Sequence, residues 1–227
     1  FLAAIAPVLL FQHSRPFHIP PPQSSQDQAN ASPPRLPLPF WFYWATLFSG
    51  VSIGYCLSYW GADFLETEVG LAKSDAASTM SVFLFAGMIG RLAGSRLSAK
   101  IASECLVVGA IAITTVGFLL FWLAPFPWLN VLGLLIAGLG AANFYPLLLS
   151  TAVGTAHRQS NQATARLSIG AGAAILISPF LLGWIADHLA LKQAFGLVVV
   201  LLVAITGLLL VARHLKKKAE RSQAQEA

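Results

Sequence analysis

Charge is what this sequence has least of. Only 10% of its 227 residues are Asp, Glu, Lys or Arg, 9 acidic and 14 basic. A soluble domain carries about 25%, because its surface must be hydrated. A chain that is 56% hydrophobic, with a mean hydropathy of +0.70, turns most of its surface to another solvent, and a lipid bilayer is that solvent. Cysteine is scarce as well. Cys56 and Cys105 lie in or beside apolar runs and give neither a disulfide framework nor metal-ligand spacing, so no metal and no cofactor are expected. His157, Asp187 and His188 form no nucleophile or metal constellation, and no phosphate loop follows a strand, so an enzyme is not expected. The net charge of +5 does not point to nucleic acid. The basic residues stand at the ends of apolar runs and in the tail, and do not interleave with aromatics.

Long uncharged runs are what the chain does have. It opens on FLAAIAPVLLF, 11 residues. A helix needs about 20 to cross the hydrocarbon core, so residues 1–12 are expected to be the end of a truncated helix. Residues 13–38 hold most of the 8 prolines that fall between Pro16 and Pro39, with Gln, Ser and Asn among them. Proline blocks helix and donates no amide, so this stretch is expected to be an extended linker. From Leu36 to Ala62, 27 residues carry no charge, and PFWFYW at their start is an interfacial aromatic cluster. A second span is expected over about Ala76 to Leu97. Its uncharged part ends at Gly90, so Arg91 and Arg96 are placed near the interface with their stems snorkelling. The 53 uncharged residues from Cys105 to His157 are too many for one helix, and APFPW at Ala124 to Trp128 divides them. A fifth span covers Leu167 to Ala186 and a sixth about Gln193 to Ala212, before a basic tail at 214–227. The fold expected is all-α: a polytopic membrane protein with a six-transmembrane-helix bundle at 39–213, preceded by the truncated helix.

The loops give an orientation. With the linker on the cytoplasmic side, 12 of the 14 basic residues fall on that side and only Lys73 and Lys192 on the other. The positive-inside rule favours this arrangement, with linker and C-terminus cytoplasmic in a plasma or inner membrane.

A half-helix, a polar linker, six spans and a basic tail resemble the C-terminal half of a major facilitator superfamily transporter. GMIGRLAGSRLSAK (Gly87 to Lys100) resembles the second-half copy of the family's loop signature, although Gly94 stands where an Asp is usual. GLGAANFYPLLLSTAVG (Gly138 to Gly154) resembles the glycine-rich, proline-kinked fourth helix of a half. SPFLLGWIADHLALKQAF (Ser178 to Phe195) resembles its fifth. Tyr59 to Gly94 is similar, more loosely, to the sugar-permease-like branch. The resemblance implies a secondary transporter working by alternating access, with a lipid bilayer, a small-molecule substrate and a missing N-terminal six-helix half as partners. A transport-inactive bundle, scaffold-like or truncated, is the alternative.

In that scheme solute contacts lie near the bilayer midplane. Counting from span ends selects Ser49, Ser52 and Tyr55 in the first span, and Asn143 and Tyr145 in the fourth. Asn143 leads, because an amide in lipid must find a partner. Hydroxyls, aromatics and one amide, without fixed charge at depth, predict an uncharged or weakly polar solute. Arg91 and Arg96, with Gly90 and Gly94 as a GxxxG pair, are expected to form a conformational latch. Pro146 and Pro179 each delete a helical hydrogen bond and are candidate hinges.

Overall fold

The computed structural model describes residues 36–156 and 159–226, with side chains as far as Lys218. The expected truncated helix, the linker up to Arg35, and His157 and Arg158 lie outside the described residues. No strand occurs among those described, and they form an all-α bundle of six long helical spans, five of them long and apolar enough to cross a membrane.

The first span, α1, covers Leu38–Thr67. Pro39 sits in its first turn, where an amide would find no helical acceptor, and sets the backbone for helix. The second, α2, covers Lys73–Ser98 and is longer at its start than expected. α3 covers Ser103–Leu123, and the next span begins with α4 at Pro127–Ala141. The break between them falls in the predicted proline turn. Asn130 pins it, donating Nδ2–H to the carbonyls of Phe121 at 2.6 Å and Ala124 at 3.3 Å. The fourth span continues as α5, Phe144–Thr155. α6 covers Ser160–His188 and passes through Pro179 without interruption. A turn of helix, α7 at Leu191–Ala194, leads into α8, Gly196–Glu226. The basic RHLKKK segment therefore continues the last helix.

Five spans, built from α2, α3, α4–α5, α6 and α7–α8, are long and apolar enough to cross a membrane. α1 is long enough but less apolar, because Trp, Tyr, Ser and Gly dilute it. Its position explains the difference. α1 packs against α2, α4, α5, α6 and α8, so much of its surface meets protein. The hydroxyls of Thr46, Ser49, Ser52 and Ser58 donate to the carbonyls four residues before them, which satisfies them without a partner helix.

The two ends of the bundle are closed differently. At the acidic end, which carries Asp63, Glu66, Glu68 and Asp75, the buried rings of Phe64, Phe118, Phe121 and Phe195 pack with neighbouring centroids 4.7–6.4 Å apart. At the basic end Glu104, in the first turn of α3, accepts from Lys216 at 2.7 Å, Tyr43 at 3.2 Å and Arg213 at 3.3 Å. That one carboxylate joins α1, α3 and α8. Elsewhere close packing rests on missing side chains. A Cβ at Gly117 or Gly133 would strike the main chain of the partner helix, so α3 and α4 approach backbone to backbone.

Candidate functional site

The fourth span is broken at Ala142 and Asn143, four residues ahead of Pro146. Proline has no amide hydrogen, so the carbonyl four residues back, that of Ala142, loses its helical donor. Arg91 of α2 supplies a replacement, donating Nε–H to Ala142 O at 3.3 Å. Asn143 secures the other side of the break. Its Nδ2 donates to Leu139 O at 2.9 Å within its own span and to Gly90 O of α2 at 3.0 Å. α2 can come this near because three of its glycines face the break. A Cβ at Gly87 would stand 3.4 Å from Ala142 Cβ, one at Gly90 would strike the Leu139 main chain, and one at Gly94 would strike the Asn143 side chain.

Beside this joint lies a cleft of about 830 Å³. α1 contributes Gly50, Val51, Gly54, Tyr55 and Ser58, and α2 contributes Phe83, Leu84, Gly87 and Arg91. The broken span adds residues from Gly138 to Pro146, and α6 adds Ser168, Ala171, Gly172 and Ile175. On each of the unbroken helices these positions recur every three or four residues, so each presents one face. Among the described residues no Asp or Glu lines the cleft. Its only side chain with a fixed charge is Arg91, which makes no ion pair among the described residues.

The residues singled out from sequence divide into two groups. Tyr55, Tyr145, Pro146 and Arg91 line the cleft. Ser49, Ser52 and Asn143 are buried and do not line it. Ser49 donates to Ala45 O at 3.0 Å. Ser52 donates to Phe48 O at 2.8 Å and accepts from Ser178 of α6 at 2.6 Å. Gly90 and Gly94 form the seam between α2 and α4, and Arg96 is exposed outside the cleft. Pro179 is buried within an unbroken α6, where its carbonyl accepts from Trp60 Nε1 at 2.9 Å. Sequence reasoning missed Ser58 and Ser168. It also set Arg91 by its distance from the helix end, whereas the spacing Leu84, Gly87, Arg91 puts it on the cleft face.

α1 and α6 are fastened along their length. Trp44 donates Nε1–H to Arg166 O at 2.9 Å, Ser178 bonds Ser52 in the middle, and Trp60 bonds Pro179 O. Each indole lies over a glycine of α6: a Cβ at Gly170 would come within 2.6 Å of Trp44, and one at Gly183 within 2.6 Å of Trp60. Among the described residues no three His, Cys, Asp or Glu side chains gather as a metal site.

Comparison with known proteins agrees with this architecture. The model of the Major Facilitator Superfamily matches residues 1–161. An uncharacterized MFS-type transporter of Yersinia pestis is 30% identical over 146 residues, which cover 64% of this chain and 38% of that protein. An uncharacterized transporter of Sinorhizobium fredii is 30% identical over 152 residues, 67% of this chain and 40% of that protein. The crystal structure of FucP, a Major Facilitator Superfamily transporter in the outward conformation, superposes with a TM-score of 0.64 at 14% identity, over 78% of this chain and 42% of that one. At that identity the likeness is one of fold. The chain spans about two fifths of the length of these proteins.

Proposed function

The chain belongs to the Major Facilitator Superfamily, and from that premise we propose that it forms the C-terminal six-helix half of a secondary transporter moving a small solute by alternating access. The cleft carries the proposal. Four spans contribute a face each to one concavity, and one of them is broken at that level, which is where transporter sites are built. In this reading the cleft is one wall of the transport site, and a preceding six-helix half supplies the other. Residues 13–38 join the halves on the cytoplasmic side, 39–213 form the domain, and 214–227 extend it.

The roles follow from position. Tyr55 and Tyr145 present ring faces and hydroxyls to the solute. Asn143, Ser49 and Ser52 hold the wall from behind, through bonds to carbonyls and to Ser178. Pro146 keeps the fourth span divided and is the hinge of that wall. Pro179 lies in a continuous helix, which supports anchoring of Trp60 more than bending. Gly90, Gly94 and Arg91 act as a joint between α2 and the fourth span, and Arg96 remains for contact with the other half at the basic end.

Uptake by the complete natural protein in proteoliposomes, over a library of radiolabelled solutes, tests this reading. Concentrative uptake of at least one solute is expected, with a loss of about tenfold or more in Tyr55→Ala and Tyr145→Ala. Absence of uptake for every solute under imposed proton and sodium gradients overturns it. Uptake unchanged in both variants removes the cleft from it.

A further inference from the structure

We infer that the solute carries an anionic group, a carboxylate on an apolar or aromatic body, and that Arg91 receives it. This rests on the reading of the cleft as the transport site, and it replaces the uncharged solute expected from sequence.

The charge balance of the cleft is the first reason. Among the described residues Arg91 is the only fixed charge on its walls and has no carboxylate partner. A guanidinium has five N–H donors. Nε–H goes to Ala142 O and holds the head in place, while the Nη groups make no bond among the described residues. The Arg91 side chain is exposed and so open to a ligand, and a carboxylate matches the guanidinium fork with two parallel hydrogen bonds.

Position is the second. Phe144, Tyr145 and Pro146, the first three residues of α5, also line the cleft. They bring the rings of Phe144 and Tyr145 to the same concavity as the Arg91 guanidinium. A cationic solute meets Arg91 as repulsion.

The remaining walls select the body of the solute. Val51, Phe83, Leu84, Phe144 and Ile175 are apolar, and the polar groups among them are the single hydroxyls of Tyr55, Ser58, Tyr145 and Ser168. Inorganic phosphate has four oxygens to satisfy and no apolar surface to bury. A carboxylate joined to a hydrocarbon or aromatic body uses both parts of the cleft.

The test compares isosteric pairs on the complete natural protein in detergent, read by intrinsic tryptophan fluorescence. The probes are benzoate and benzamide, hexanoate and hexanamide, and inorganic phosphate. Carboxylates are expected to bind about tenfold or more tightly than their amides, with phosphate weaker than either carboxylate. In Arg91→Gln, which keeps a donor for Ala142 O but no charge, that ratio is expected to fall to near one. Arg91→Lys retains the charge and is expected to keep a carboxylate preference, which separates lost recognition from lost folding. Equal binding of acid and amide, a preference that persists in Arg91→Gln, tighter binding of phosphate, or no binding by any probe overturns the proposal. Carboxylate preference without uptake leaves the anion site standing and removes the transport reading. Uptake of neutral solutes without such a preference does the reverse.

Discussion

The indole of Trp44 fills the space that any side chain at Gly170 would need, its Nε1 lying 2.6 Å from where a Cβ would stand. The same nitrogen donates to Arg166 O at 2.9 Å, so the ring cannot shift without breaking that bond. Gly170→Ala is therefore expected to destabilise the protein by about 1–3 kcal/mol, the usual cost of overpacking a tight contact. Heating the purified protein in detergent and measuring the monodisperse fraction reads it. Wild-type stability in Gly170→Ala would show that α6 can yield at this point.

Asn143 offers a sharper comparison. Its Nδ2 serves Gly90 O and Leu139 O together. Asn143→Ala should cost about 1 kcal/mol, in line with hydrogen bonds between membrane helices. Asn143→Asp should cost more at neutral pH, because an ionised carboxylate would face two carbonyl oxygens with no donor to give. The order of the two melting temperatures is the measurement, and the reverse order would contradict the assigned bonds.

Pro146→Ala restores an amide four residues after Ala142, which competes with Arg91 for that carbonyl. The fourth span is expected to become more continuous, with slower hydrogen exchange from Asn143 to Leu149 than in wild type. Uptake, once a solute is known, should slow while solute affinity changes less. Exchange that is unchanged or faster would mean that Pro146 does not set the break.

These comparisons show what the sequence made legible. The turn at Ala124 to Trp128 was readable because proline and a charge-free run of known length constrain it locally. The break in the fourth span was signalled by Pro146 but falls at Ala142, since the lost bond belongs to the carbonyl four residues earlier. Asn143 was identified as needing a partner, but which partner depends on three glycines of another helix, a fact of tertiary packing. Arg91 was read from its depth alone for a related reason. Distance from a helix end measures depth, whereas the face on which a residue lies decides whether it meets lipid, headgroup or cleft.

Glu104 supports a prediction in a different medium. It accepts from Lys216, Tyr43 and Arg213, with the two ion pairs at 2.7 and 3.3 Å between partly exposed side chains. Screening by water keeps such pairs modest, so Glu104→Gln is expected to lower stability by about 1 kcal/mol. The deficit should shrink as salt is raised from tens of millimolar to about 1 M, where the screening length falls to about 3 Å. A deficit independent of salt would indicate that the hydrogen bonds, rather than the charges, matter at this corner.

The modest hydropathy of α1 bears on how the protein is made. Of the six spans α1 leaves the ribosome first, yet it is not among the five apolar enough by composition to cross a membrane, and two of the helices packed against it, α6 and α8, are synthesised last. Its tryptophan bonds to Arg166 and Pro179 do not exist until α6 is present. The seat of α1 is thus finished late, and a nascent chain stopped before α6 would hold α1 without its two tryptophan anchors.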